Sequence, residues 1–217
     1  MSPTILVIDD HPLVAEALRL RILATQPRAN VVAAWTLEAA IQKAPLCRNL
    51  ALVLMDLMLP DARGYCGLLL MRQAVRSVPV AIISARNDPD TVAGARAFGA
   101  AGFLPKSATP QTFATAVETL LRGREAFPEA PEVAGGERAV ALAGRKIDAL
   151  SAAQLRVLLA VSDGRLNKQV AGEMGLAEVT VKTHMTAILR KLGVSSRIEA
   201  ITLATQMLNL SRQPYPV

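Results

Sequence analysis

The sequence predicts a doubly wound α/β domain of five strands and five helices, followed by an all-α region. Three observations carry that reading. Short apolar runs at Thr4–Ile8, Leu50–Met55 and Val80–Ile83 lack alternation, as strands buried on both faces of a parallel sheet do. Between such runs lie stretches with helical periodicity, several opened by a capping residue or proline and closed by glycine. From Ser151 onward the periodicity is helical throughout.

Strand one, Thr4–Ile8, runs into Asp9-Asp10, and His11-Pro12 opens a helix in which proline's missing N–H costs nothing. Leu13, Ala17 and Leu20, with Val14 and Leu18, are expected to form its apolar stripe, and Arg19 and Arg21 to lie off it. Strand two is Asn30–Trp35. Thr36 caps a helix over Leu37–Ala44 that Pro45 ends. Strand three begins at Leu50 and ends on Asp56, and Pro60-Asp61-Ala62-Arg63-Gly64 is turn chemistry. A helix over Cys66–Arg76, strand four over Val78–Ser84, a helix from Asp88-Pro89 to Phe98, and strand five over Gly102–Lys106 follow. Thr109-Pro110 starts the last helix of the domain, carrying Phe113, Val117, Leu120 and Leu121, and Gly123 stops it.

Residues 124–147 hold Pro128, Pro131, Gly135, Gly136 and Gly144, which break every periodicity, so a linker joins domains at 1–123 and 148–217. In the second domain Ser151 caps a helix carrying Leu155, Leu158, Leu159 and Val161. A short helix over Asn167–Met174, a turn at Gly175-Leu176, a longer helix over Glu178–Leu192 and a last one over Ser196–Leu208 complete it.

Composition sets bounds. The 217 residues are 52% hydrophobic yet contain no apolar run near the ~18 that a membrane helix needs. Met1–Thr4 shows no basic region leading into an apolar one, so a cytoplasmic location is expected. Cys47 and Cys66 have neither disulfide-framework nor metal spacing, and two histidines, His11 and His184, stand too far apart for a shared metal. The net charge of +6 permits a nucleic-acid partner, and the 3% of aromatic residues argues against a stacking platform for single strands. Residues 148–217 hold 8 Lys+Arg against 5 Asp+Glu, so any DNA contact must come from local placement of charge.

In a sheet of this kind the carboxyl ends of strands one and three are neighbours at the switch point where ligands bind. Asp9, Asp10 and Asp56 then converge, and three carboxylates so close require a cation. Hard oxygen ligands favour Mg²⁺. Strands four and five bring Ser84 and Lys106 to the same edge. A carboxylate nucleophile, a divalent ion, a lysine and a hydroxyl are the parts that phosphoryl transfer to an aspartate needs. An aspartate after a strand can also be a simple cap, and a lysine beside it a surface pair. On Glu178–Leu192, Val181, Met185, Ile188 and Leu192 form one apolar face, and Lys182, Thr186 and Arg190 form another with Thr183 and Lys191 beside it. That suits a helix-turn-helix recognition helix, and the same spacing fits a solvated face on a bundle helix.

Residues 4–122 resemble the receiver domain of two-component response regulators, a flavodoxin-like fold. Asp9-Asp10, Asp56-x-x-x-Pro60-x-x-x-Gly64, Ser84 and Phe103-x-x-Lys106 carry the likeness. The resemblance implies that Asp56 accepts a phosphoryl group from a sensor histidine kinase. Asp9, Asp10, Asp56 and the Met58 carbonyl would hold Mg²⁺, Ser84 and Lys106 would contact the phosphoryl group, and Phe103 would be an aromatic switch that turns inward. Residues 148–208 resemble the LuxR/NarL-type DNA-binding domain through Thr180-Val181-Lys182-Thr183-His184, Ile188–Val194, Ser196–Ala200 and Asn167–Ala171. That likeness places Lys182, Thr183 and Thr186 at base edges of double-stranded promoter DNA. Lys168, Thr180, His184, Arg190 and Lys191 would lie nearer phosphates, and Ile201, Leu203 and Ala204 at a homodimer contact. Where the family opens its first helix with Pro-Arg-Glu-Arg-Glu, this chain has Ala152-Ala153-Gln154-Leu155-Arg156, which leaves a packing or partner contact in doubt.

The expected function is a NarL/FixJ-type, phosphorylation-controlled transcription factor that dimerises and is no enzyme beyond self-phosphorylation and slow autodephosphorylation. A DNA-binding regulator whose first domain serves only for dimerisation is the alternative. A phosphohydrolase is disfavoured, because Asp56-Leu57-Met58 lacks a second carboxylate two residues on.

Overall fold

The computed structural model describes residues 2–62, 64–128, 146–147 and 149–209, so most of the expected linker lies outside the described residues, as do Arg63 and the last eight residues. The strands are β1 (Thr4–Ile8), β2 (Asn30–Ala34), β3 (Leu50–Asp56), β4 (Val80–Ser84) and β5 (Gly102–Pro105). They form one parallel sheet in the order β2-β1-β3-β4-β5. Apart from Thr4, Asp56 and Ser84 at their ends, the interior strands are apolar because helices cover both faces. Leu6, Ile8, Val53, Met55, Ile82 and Phe103 face α2 (Leu37–Lys43), α3 (Cys66–Ala74) and α4 (Pro89–Ala97). The alternate residues Ile5, Val7, Leu52, Leu54, Ile83 and Leu104 face α1 (Pro12–Thr25) and α5 (Pro110–Leu121).

The caps at Thr36, Asp88 and Thr109 are as the sequence predicts: each side chain accepts from the backbone N–H three residues on. The stripe of α1 is not. Ala15, Leu18 and Ile22 are buried, whereas Leu13 is 87% exposed and Leu20 55%. Spacings of three and four fit both sets, and the outcome follows from Arg21. Its guanidinium donates to the Ala108 carbonyl at 2.8 Å and stacks 4.2 Å over the Phe113 ring. That contact turns Arg21 toward α5 and Leu20 to water.

Residues 124–127, assigned to the linker by composition, partly continue the sheet. The Phe103 N–H donates to the Ala126 carbonyl at 2.8 Å, and the Ala126 N–H to the Ala101 carbonyl at 3.1 Å. Gly102 makes this possible, since a Cβ there would meet the Ala126 oxygen at 2.4 Å.

The second unit comprises α6 (Ala152–Ser162), α7 (Asn167–Met174), α8 (Glu178–Leu192) and α9 (Arg197–Asn209). Leu155, Leu158, Val161, Val170, Val181, Ile188, Leu192 and Ala200 form its core. Ser151 and Gln154 build a capping box on α6, and Gly175 and Gly193 end α7 and α8 in the left-handed conformation. Gln73 of α3 donates to the Leu150 carbonyl at 2.8 Å, joining the two units beside buried Leu150.

Candidate functional site

The carboxyl ends of β1 and β3 are adjacent, and the acidic residues stand immediately beyond or at those ends. Asp9 and Asp56 are buried. Lys106, one residue past β5, lays its Nζ 2.7 Å from Asp9 Oδ2 and 2.9 Å from Asp56 Oδ2. Its backbone N–H donates to the Ser84 carbonyl at 2.7 Å, which fixes the loop to β4. Burial pushes the Asp56 carboxyl above the usual range, with Asp9 adding to it, against the hydrogen bond and charge of Lys106 and the Met58 N–H. For Lys106 burial works the other way, but its hydrogen bonds to Asp9 and Asp56 prevail and raise it above the ordinary lysine value.

The pocket's donors do not use all its oxygens. Asp9 Oδ2 and Asp10 Oδ1 are buried without a well-directed hydrogen bond, although Lys106 and His11 stand within ion-pair distance of them. Asp9, Asp10 and His11 each offer a ligand atom within 4.8 Å of the others. Carboxylates gathered this closely at one strand edge fit a hard divalent cation. Ser84 is buried, and its Oγ accepts from the Arg86 N–H at 3.1 Å. Phe103 is already buried, 2% exposed, with its N–H held by Ala126, so no rotation from solvent is needed to bring it inward.

On α8, Val181, Met185, Ile188 and Leu192 are buried as their spacing predicts, and Lys182, Thr183, Thr186 and Arg190 are exposed. Thr180 and His184 are half-buried, and Lys168 on α7 is exposed. The Lys182 Nζ lies 2.9 Å from Glu178 Oε1, one turn back.

Two family descriptions match the chain: "Response regulator receiver domain" over residues 5–118 and "Bacterial regulatory proteins, luxR family" over 148–204. The chain belongs to the NarL/FixJ-type response regulators. It is 35% identical over 209 residues to the glycerol metabolism activator of Pseudomonas putida, covering 92% of this chain and 94% of that one. It is 30% identical over 201 residues to the nitrate/nitrite response regulator NarL of Escherichia coli K12, covering 91% and 92%. A structure of RcsB from Salmonella enterica serovar Typhimurium bound to promoter rprA matches at a TM-score of 0.51 and 20% identity, covering 94% and 99% of the two chains; that likeness concerns the fold. A response regulator with these two domains acts as a transcription factor. Among the described residues no helix is long and apolar enough to cross a membrane.

Within the regulator some expected site residues lie elsewhere than the sequence suggests. Ala204 is core, 1% exposed, whereas Ile201 and Leu203 are half-buried, each packed against that core on one side. Lys191 turns back into its own unit: its Nζ donates to the Ala149 carbonyl and to Gln154 Oε1, both at 2.8 Å. Gln154, within this chain's departure at Ala152–Arg156, thus serves the capping box and α8 together.

Other residues escape sequence reasoning. The Asp61 carboxylate accepts from the Leu37 and Glu38 N–H groups at 3.0 Å each, tying the loop after β3 to α2. Tyr65 is buried, donates from its hydroxyl to the Thr91 carbonyl at 2.8 Å and stacks on Phe98. Gly94 makes room, since a Cβ there would lie 2.4 Å from the Tyr65 oxygen. Only His11 left a signal, its adjacency to Asp9-Asp10.

Proposed function

We propose that a sensor histidine kinase phosphorylates Asp56 and that this controls how α8 binds double-stranded promoter DNA. The observation that carries the reading is the bridging of buried Asp9 and Asp56 by Lys106 at 2.7 and 2.9 Å, with Asp10 at the same strand edge. Asp56 attacks the phosphorus in line; the bond from the donor's histidine nitrogen breaks and the electron pair leaves with that nitrogen. Lys106 shifts from bridging carboxylates to neutralising the equatorial oxygens. Ser84 gives up the Arg86 N–H and donates its hydroxyl to the phosphoryl group. Asp9, Asp10, Asp56 and the Met58 carbonyl would hold Mg²⁺, which when bound supplies charge neutralisation for the incoming phosphoryl group. Phe103 registers the change at β5, where Ala126 carries it into the linker.

This reading divides the chain into a phosphoacceptor domain at 1–123, a linker at 124–147 and a DNA-binding domain at 148–217, working in the cytoplasm as a phosphorylation-promoted homodimer. Lys182, Thr183 and Thr186 face base edges, with Lys168, Thr180, His184 and Arg190 toward phosphates. That solved RcsB relatives are described as dimers on DNA supports the dimer. Because the positions two past Asp56 and Ser84 are Met58 and Arg86, neither of which orients an attacking water, the phosphoryl-aspartate persists for minutes; phosphate release within seconds would sink this.

A second reading, phosphorylation-independent binding with the first domain as a dimerisation platform, draws on Phe103 being buried already. Acetyl phosphate with Mg²⁺ separates the two. The first reading expects label on wild type, none on Asp56→Asn, and tighter promoter binding only where label appears. Labelling without any change in binding supports the second.

A further inference from the structure

The outward ridge of α8 carries a chemistry beyond its charge. Val179, Thr183 and Thr186 fall at i, i+4 and i+7, on the side of the helix opposite Val181, Ile188 and Leu192. Val179 is 68% exposed, an uncovered β-branched apolar side chain on an otherwise polar face. The two threonines do not offer their hydroxyl protons outward. Thr183 Oγ1 donates to the Val179 carbonyl at 3.0 Å, and Thr186 Oγ1 donates to the Lys182 carbonyl at 3.1 Å. Such bonding to the preceding turn fixes χ1 and leaves the γ-methyl as the group presented to an approaching surface.

We infer that Val179, Thr183 and Thr186 read thymine methyl groups in the major groove. The inference rests on the reading that α8 enters that groove. The groove displays hydrogen-bond donors and acceptors on every base pair, but its apolar feature is the thymine C5-methyl, which side-chain methyls recognise by contact. A hydroxyl already donating along its own helix cannot also donate to guanine or adenine N7. Lys182 differs: its pair with Glu178 lies between two exposed side chains and is weak, so its ammonium is available to guanine O6 and N7. The ridge therefore pairs methyl groups suited to thymine with one ammonium suited to guanine. Val179 becomes a specificity residue, which neither its type nor its place in the helix announced.

The experiment uses the full-length chain with beryllofluoride and Mg²⁺, and duplexes enriched from a random pool. Uracil then replaces thymine one position at a time, removing only the 5-methyl. Wild type is expected to bind about fourfold more weakly at each methyl it contacts, the amount one buried carbon group contributes. Thr183→Ser keeps the hydroxyl and drops the methyl, so it should erase the thymine-to-uracil ratio at one position. Thr183→Val keeps the methyl and drops the hydroxyl, so it should preserve that ratio. Val179→Ala should lower the ratio at a neighbouring position. Equal binding of thymine and uracil duplexes by wild type overturns the inference, as does a ratio that survives Thr183→Ser and vanishes in Thr183→Val. If wild type enriches no sequence at all, the DNA-binding reading itself fails, and methyl readout with it.

Discussion

Asp9, Asp56 and Lys106 come from three strand ends, with both carboxylates buried and the lysine half-buried, whereas Lys182, Thr183 and Thr186 come from one helix and remain exposed. The first group is assembled by sheet order, so its members must satisfy one another, and removing Lys106 leaves two buried carboxylates without their counter-charge. The second is assembled by helical periodicity alone. Its members touch little of the protein, so changing one should alter binding and leave folding untouched. The pocket is thus fixed by tertiary structure and the ridge by secondary structure.

Substitutions can break or sharpen this contrast. The largest effect is expected from Asp56→Asn, which should abolish phosphoryl incorporation from acetyl phosphate, read by intact mass, while the chain stays folded because Lys106 retains Asp9. Lys106→Ala should destabilise the first domain by about 3 kcal/mol in urea unfolding, since Asp9 and Asp56 would then face each other unscreened. Saturating Mg²⁺ should recover part of that loss by binding the folded state. Lys182→Ala should weaken binding to selected duplexes on the order of tenfold with no change in melting temperature. A matching fall in stability would show that the ridge is coupled to the core after all. Smallest, Ser151→Ala should cost the helical unit about 1 kcal/mol by removing the cap on α6, with the first domain unaffected.

The same contrast explains what the sequence made legible. Strands β1, β3 and β4 announce themselves because burial on both faces demands uninterrupted apolar runs, and their ends place Asp9, Asp56 and Ser84 without further information. The caps at Thr36, Asp88, Thr109 and Ser151 are local and therefore readable. Illegible features depend on distant partners. The buried face of α1 is selected by Arg21 reaching Ala108 and Phe113, and Asp61 caps α2 from a loop two elements away. Ala126 joins β5 from a stretch whose composition reads as linker, because pairing to an edge strand uses backbone and needs no side-chain pattern. On α9 periodicity identifies an apolar face but not its occupant, and the core claims Ala204 before a second protomer can.

The central claim is that the phosphorylation state of Asp56 governs the DNA contact made by α8. Footprinting of an enriched promoter duplex with wild type and Asp56→Asn, each with and without beryllofluoride and Mg²⁺, tests it most directly. Protection should strengthen on beryllofluoride addition for wild type and remain unchanged for Asp56→Asn. Identical footprints from both proteins under both conditions would contradict the claim.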